Sequence, residues 1–274
     1  MESLRYALFR CCASAPHLPA YEQATDKVLQ GVGLDTVQVP EFGCCGYPLR
    51  NVDQKAWLLA SARNLALTEA YGASLVTVCN CCYGTLKHCA WILGQDRELQ
   101  DKINEHLNKE GLAYTGRARV RHLFQVLIQD TGLEVLGQKI QQPANHLSLA
   151  LHYGCRILRP SNVLEMENPL RPESLDTLVE TAGASTVAWD RKLDCCGAPI
   201  WATDEELSGV IAAGKISDAK AAGADAVCVA CPFCQLRLDS SQGQAGRMPI
   251  IAYPQLLAYC LGASAQEVGW ETGA

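Results

Sequence analysis

One cysteine pattern occurs twice in this chain: Cys12, Cys44-Cys45-Gly46 and Cys79-x-x-Cys82, then Cys155, Cys195-Cys196-Gly197 and Cys231-x-x-Cys234. The intervals are similar, with 31 residues between Cys12 and Cys44 against 39 between Cys155 and Cys195, and 33 against 34 between the vicinal pair and C-x-x-C. A chain like this must fold as two copies of one unit, each gathering five thiols. A lone C-x-x-C is ambiguous, since a redox dithiol and half a zinc site look alike. Two matched sets of five point to metal. A free thiol has a pKa of about 8.5, and several thiolates collected without a cation would raise one another's values by repulsion. Iron or zinc removes that conflict by fixing the ligands as thiolates.

The repeat extends past the cysteines. Cys44-Cys45-Gly46-Tyr47-Pro48-Leu49 answers Cys195-Cys196-Gly197-Ala198-Pro199-Ile200 at an offset of 151 residues, and Ala70-Tyr71-Gly72-Ala73 answers Ala221-Ala222-Gly223-Ala224 at the same offset. The pattern divides the chain into a first domain over 1–136, a linker over 137–146 where apolar periodicity lapses, and a second domain over 147–274. Short apolar runs predict strands at Arg5–Phe9, Asp35–Val39, Leu75–Val78 and Ala118–Arg121, then at Leu147–His152, Thr186–Trp189, Ala226–Val229 and Pro249–Ala252. Helical spacing falls near Ala20–Gln30, Gln54–Tyr71, Tyr83–Trp91 and Leu123–Thr131, then near Pro172–Thr181, Asp204–Ala222 and Pro254–Leu261. Strands alternating with helices imply parallel sheets with right-handed crossovers. The fold class is therefore α/β: two pseudo-symmetric Rossmann-like lobes from an internal duplication, with metal sites at the C-terminal ends of parallel strands, where open sheets bind ligands. The polar run between Trp91 and Thr115 reads as a solvated extension of the helix that follows Cys82.

Composition agrees with a protein that folds without disulfides. Of 274 residues, 49% are hydrophobic and 19% charged, and 15 cysteines fall short of a disulfide scaffold's density in a chain this long. A net charge of −6 with no basic tract gives no footing for nucleic acid. MESLRYALFRCC lacks a signal-peptide h-region, and no run approaches the ~20 apolar residues of a membrane span, so the expected location is the cytoplasm, without direct membrane insertion.

Five donors per set fit iron–sulfur chemistry better than zinc, which takes four ligands in a tetrahedron. Adjacent side chains of a vicinal pair diverge and suit neighbouring metals of a polynuclear cluster. Zinc and metal-free dithiol chemistry stay open at this point. Cys89, Cys228 and Cys260 lie inside predicted elements and read as buried small hydrophobes.

The chain resembles the cysteine-rich CCG-domain family typified by the B subunit of heterodisulfide reductase. The resemblance rests on both CCG motifs, Tyr6-Ala7-Leu8-Phe9 before Cys12, Ser61-Ala62-Arg63-Asn64-Leu65-Ala66, Cys79-Asn80-Cys81-Cys82-Tyr83-Gly84-Thr85-Leu86-Lys87, His152-Tyr153-Gly154-Cys155 and Cys231-Pro232-Phe233-Cys234. It implies two [4Fe-4S] clusters of non-cubane type. Cys12, Cys44, Cys45, Cys79 and Cys82 would hold one, and Cys155, Cys195, Cys196, Cys231 and Cys234 the other. It further implies an oxidoreductase that cleaves a small disulfide, or forms it in reverse, between facing clusters. Electrons would come from a ferredoxin-like C subunit and a flavoprotein A subunit, because this chain carries neither a flavin or nucleotide motif nor a ferredoxin cysteine run. Related subunits also serve sulfur-oxidising and succinate- or fumarate-linked complexes, and a zinc-stabilised interaction subunit is the alternative of another class.

Around the cysteines, His152, Lys87 and His88 are the candidate proton donors, and Arg50, Arg156 and Arg159 the candidate anion-binding groups. Two further cysteines complicate the first set. Cys11 stands where the family commonly has glycine, and Cys81 fills an x position of C-x-x-C; either could compete as a ligand.

Overall fold

The structure, a computed structural model, describes residues 5–243 and 246–270. Its two sheets each hold four parallel strands. The first contains β1 (Tyr6–Leu8), β2 (Thr36–Val37), β3 (Ser74–Thr77) and β4 (Val120–His122) in the order β2-β1-β3-β4. The second contains β5 (Ser148–His152), β6 (Ser185–Val187), β7 (Ala226–Val229) and β8 (Ile250–Ala252) in the order β6-β5-β7-β8. Tyr6 pairs with Thr36 on one side and Ser74 on the other; Leu149 likewise pairs with Thr186 and Ala226. β1 and β7 are buried along their whole length, as expected of parallel strands covered on both faces. In each sheet the strand order reverses beside the first strand, and the C-terminal end of that strand is where open sheets bind ligands. The expected α/β architecture with duplicated parallel sheets is what the chain adopts.

The long helices of the two halves start in the same way. Asp53 accepts from the Ala56 N–H ahead of helix Gln54–Ala70, and Asp204 accepts from the Leu207 N–H ahead of helix Glu205–Ala221. Each capping carboxylate satisfies an orphan donor of its first turn. After β4 and β8 the pattern repeats with glutamine: Gln125 Oε1 accepts from the His122 N–H at 3.1 Å, and Gln255 Oε1 from the Ala252 N–H at 2.8 Å.

Two local expectations are corrected, and one helix forms where none was expected. Helix Asn80–Gln95 ends at Asp96, which then caps a separate helix, Arg97–Leu107, through the Leu99 N–H. That second helix is no solvated extension, because Gln100, Ile103 and Leu107 are buried. The helix expected over Leu123–Thr131 begins as α-helix, widens to a π-helix over Val126–Gly132 and returns to α-helix over Leu133–Gln138. Helix Pro232–Ser240 gave no apolar signal because Gln235 and Arg237 occupy buried positions on it.

A division at 137–146 separates the sheets, whereas packing sorts the chain into two compact units that each draw on both halves. One unit comprises the chain up to Cys12, Leu34–Val126 and Arg156–Met166; the other comprises Ala13–Gly33, Leu127–Cys155 and the chain from Glu167 onward. Helix Pro19–Val32 belongs to the second unit because its buried face, with Tyr21, Ala24, Val28 and Leu29, packs against the apolar helix Tyr253–Cys260. In the first unit Ala7, Val39 and Leu67 form a core cluster joined by Val37, Phe42 and Tyr71.

Candidate metal centres

Three chain turns at the C-terminal edge of each sheet deliver the cysteines. In the first unit Cys12 follows β1, Cys44 and Cys45 follow β2, and Cys79 and Cys82 follow β3. Cys79 occupies the cap position of helix Asn80–Gln95 in extended conformation, so Cys82 sits in the first turn. Cys231 and Cys234 stand in the same relation to helix Pro232–Ser240. The free N–H groups of a helix start favour negative charge, here that of thiolates.

The glycine of each CCG motif is required by geometry. Gly46 and Gly197 both have φ of +87°, in the left-handed region that side chains disfavour. A Cβ on Gly46 would also lie 3.0 Å from the Trp57 carbonyl oxygen, and one on Gly197 2.7 Å from that of Ser208. This close approach presses each turn onto its long helix. The Gly46 N–H donates to Cys44 Sγ at 3.4 Å, and the Gly197 N–H to Cys195 Sγ at 3.4 Å.

The thiols of each unit form one connected chain. Cys12 is in hydrogen-bonding reach of Cys44, Cys44 of Cys45, Cys45 of Cys82, and Cys82 of Cys79. In the same order Cys155 reaches Cys195, then Cys196, Cys234 and Cys231. These groups cannot all ionise side by side. Hydrogen bonds from Cys12 and Cys45 hold Cys44 down to about 2, and those from Cys155 and Cys196 hold Cys195 down to about 2. Cys82 is pushed well up by Cys11 and Cys45, and Cys234 by Cys196 and Cys231, with burial adding to both. Bound metal would relieve this competition by supplying the missing positive charge. Both sets grade from surface to core: Cys44 and Cys195 are exposed, whereas Cys45, Cys79 and Cys82, and Cys196, Cys231 and Cys234, are buried. Each centre is thus anchored inside and open on one side.

Each centre also has a sixth donor, and the two differ. The sulfurs of Cys11, Cys79 and Cys82 lie within 4.8 Å of one another, which brings Cys11 into the first centre. In the second, a ring nitrogen of His152 lies within 4.8 Å of the sulfurs of Cys196 and Cys234. His152 is fully buried, and burial, followed by the charge of Lys215, lowers its pKa to about 3, so it stands neutral. Cys81 is buried in the first turn of its helix. Cys89, Cys228 and Cys260 are buried as well, and burial raises all three pKa values.

Beside the first centre, three of the expected anion-binding and proton-donating groups meet. An N–H of Arg50 donates to His88 Nδ1 at 2.5 Å. The Arg50 guanidinium lies 5.0 Å from the Trp57 ring centre, and that of Arg156 lies 5.2 Å from the ring centre of Tyr47, which directly follows the CCG turn. Burial lowers the pKa of His88, and the charges of Arg50 and Arg156 add to the effect. Arg50 Nη1 and Arg156 Nε are buried and find no hydrogen-bond partner among the described residues. Lys87 faces Glu165 and Arg121 instead, and Arg159 is exposed. Sequence reasoning missed two groups that contact the CCG turns. Asn64 donates to the Cys44 carbonyl at 3.0 Å, and Lys215 to the Asp194 carbonyl at 3.2 Å. Their signal lay in the 151-residue offset, which pairs the two positions.

The family model for the CCG cysteine-rich domain matches this chain twice, over residues 6–87 and 149–239. The chain belongs to the CCG cysteine-rich domain family. Its CCG-family relatives include the B subunit of the ferredoxin/F420H2-dependent CoB-CoM heterodisulfide reductase of Methanosarcina acetivorans, 35% identical over 98% of this chain and 93% of the relative. The membrane anchor subunit of the 8-methylmenaquinol:fumarate reductase of Wolinella succinogenes is 32% identical over 96% of this chain and 94% of its own. A hypothetical protein from Helicobacter pylori has the same fold, with a TM-score of 0.79 at 20% identity, over 98% of this chain and 51% of that one. No helix among the described residues is long and apolar enough to cross a membrane. Each CCG unit gathers at least five thiols, a donor set suited to iron–sulfur binding.

Proposed function

We propose that this chain is the iron–sulfur catalytic subunit of a heterodisulfide reductase-like complex, an oxidoreductase acting on a sulfur group. One observation carries the reading: the same five-member chain of thiols, in the same order, is built in both units. Cys12, Cys44, Cys45, Cys79 and Cys82 hold one [4Fe-4S] cluster, with Cys11 at hand as a further thiolate. Cys155, Cys195, Cys196, Cys231 and Cys234 hold the other. Five cysteines per cluster support the non-cubane form, since four suffice for the ordinary cube. When bound, such clusters supply single electrons and Lewis-acidic iron.

The reaction is R–S–S–R′ + 2 e⁻ + 2 H⁺ → RSH + R′SH, or its reverse. Exposed Cys44 and Cys195 mark the sides on which a small substrate meets each centre. Arg50 and Arg156 bind an anionic group of the substrate, such as a sulfonate, phosphate or carboxylate, in the bidentate manner of guanidinium. Neutral His88 accepts from Arg50 at Nδ1 and so orients that guanidinium, leaving Nε2–H free to donate a hydrogen bond toward a nascent thiolate. Neutral His152 offers the second centre a hydrogen-bonding ring in place of a charge. The electrons are supplied by partner subunits, a ferredoxin-like C subunit and a flavoprotein A subunit, within a cytoplasmic complex.

A second reading keeps the clusters and changes the couple. The likeness to the Wolinella succinogenes subunit favours a place in a fumarate-linked electron-transfer complex. Anaerobically purified protein, assayed for iron, zinc and acid-labile sulfide, decides the cofactor. About eight irons and eight sulfides per chain are expected. About two zincs without sulfide would replace the redox chemistry by a structural role. Turnover of an anionic disulfide with reduced viologen, against fumarate with the same donor, separates the two redox readings.

A further inference from the structure

The two centres differ in the charge built beside them. Helix Gln54–Ala70 carries Asn64 where its counterpart, helix Glu205–Ala221, carries Lys215. Asn64 braces its turn with neutral bonds, accepting from the Gly43 N–H at 2.9 Å and donating to the Cys44 carbonyl at 3.0 Å. Lys215 braces the second turn with a cation. Its Nζ donates to the carbonyls of Arg191 and Asp194 and lies 4.7 Å from the ring centre of Trp189. The residue is only 1% exposed, and its charge acts on Cys195, Cys196 and Cys234 as well as on His152. Asp194, the facing carboxylate, is half exposed to solvent and lies 3.8 Å from Arg191. Burial lowers the pKa of Lys215 to about 8, which leaves the amine charged at neutral pH.

A second difference acts in the same direction. The first centre adds the thiol of Cys11 at the position equivalent to Gly154, and the second adds the imidazole of His152 at the position equivalent to Phe9. One centre therefore has an extra potential thiolate and a neutral brace, and the other a sixth donor that cannot become a thiolate and a buried cation.

We propose that Lys215 poises the centre of Cys155, Cys195, Cys196, Cys231 and Cys234 to be the more readily reduced of the two, while Asn64 and Cys11 leave the first centre the harder to reduce. The proposal rests on the iron–sulfur reading. Reduction adds one electron to a thiolate-ligated centre and takes up no proton at Lys215. In a low-dielectric site a cation stabilises that added charge far more than water would. Net charge, hydrogen bonds and exposure are what set such potentials. The first electron delivered by a one-electron carrier would then settle at the centre beside Lys215. Lys215 is thus a positioning residue for charge, distinct from the groups that touch substrate.

The test is a redox titration of the anaerobic, iron-loaded full chain with dithionite, followed by electron paramagnetic resonance. Cys44→Ser and Cys195→Ser assign the signals, since each perturbs one centre. The signal perturbed by Cys195→Ser is expected to have the higher midpoint. In Lys215→Met that midpoint falls by the equivalent of tenfold or more in the oxidised-to-reduced ratio, about 59 mV for one electron, while the first centre's stays put. Lys215→Arg, which keeps the charge, retains the higher midpoint. A higher midpoint on the signal that Cys44→Ser perturbs would overturn the proposal, and so would an unmoved midpoint in an iron-replete Lys215→Met. Should Lys215→Met fail to hold iron, the assignment in the unaltered chain decides by itself. Absence of iron and sulfide from the unaltered chain is a different result, and it would overturn the iron–sulfur reading.

Discussion

Gly46 and Gly197 show how closely single residues are constrained around the thiols. Each combines a left-handed φ with a backbone carbonyl about where a Cβ would stand. Gly46→Ala and Gly197→Ala should each cost about 1–3 kcal/mol, from strain at a disfavoured φ and displacement of the long helix. Because the turn carries Cys44 and Cys45, or Cys195 and Cys196, each variant should also lose the iron of its own centre while keeping the other. Chemical denaturation and iron content, measured on the same samples, check both parts. Gly33 also has a positive φ but meets nothing within 4 Å, so the same change there should leave iron content as it was.

Caps and closing turns carry the expectations at the scale of elements. Asp53→Ala and Asp204→Ala each remove a carboxylate that accepts from a first-turn N–H, and each should lower stability by about 1 kcal/mol in urea denaturation. The turn after helix Tyr253–Cys260 depends on Glu267, which accepts from the Ser264 N–H at 2.9 Å and Oγ at 3.0 Å and pairs with Lys27 at 2.9 Å. The Ser264 N–H, then Lys27, hold this carboxyl down to about 2. A folded-state value below the ordinary one stabilises the native state above the ordinary carboxylate range, and that contribution is lost as pH falls toward 2. Glu267→Gln should therefore lower the urea midpoint at pH 7, and the deficit should shrink as pH falls from about 4.5 toward 2. The pair is exposed, so the effect is small and should weaken with added salt. Elements with clear apolar periods, such as β7 and the two long helices, were legible in the sequence to within a residue or two. Helix Pro232–Ser240 was not, because Arg237 lies buried against Trp201 at 4.6 Å and breaks the apolar stripe. Nor was the break at Asp96: a long polar run reads as one helix until a side chain caps a new start.

For the whole molecule, metal and fold are expected to be linked. The ten thiols come together at the two sheet edges only in the folded chain, so metal bound there would add to folding free energy. Removing iron anaerobically with a chelator should lower the thermal midpoint and soften the cooperativity of unfolding, and calorimetry of loaded and stripped protein checks this. A transition unchanged by iron removal would mean that the thiols are not ligands in the folded chain. The duplicated α/β class and the ten candidate ligands were legible in the repeated cysteine pattern, and the motifs around it carried the resemblance to the family, because ligand spacing and strand–helix alternation are one-dimensional signals. Packing decided the rest. That helix Pro19–Val32 is housed with the second sheet, that Cys11 joins the first centre, that Arg50, His88 and Arg156 meet, and that a buried lysine lies under one centre only are outcomes of long-range contact. Such contacts depend on which apolar faces and charges cover one another in space, and residue order along the chain does not specify that directly.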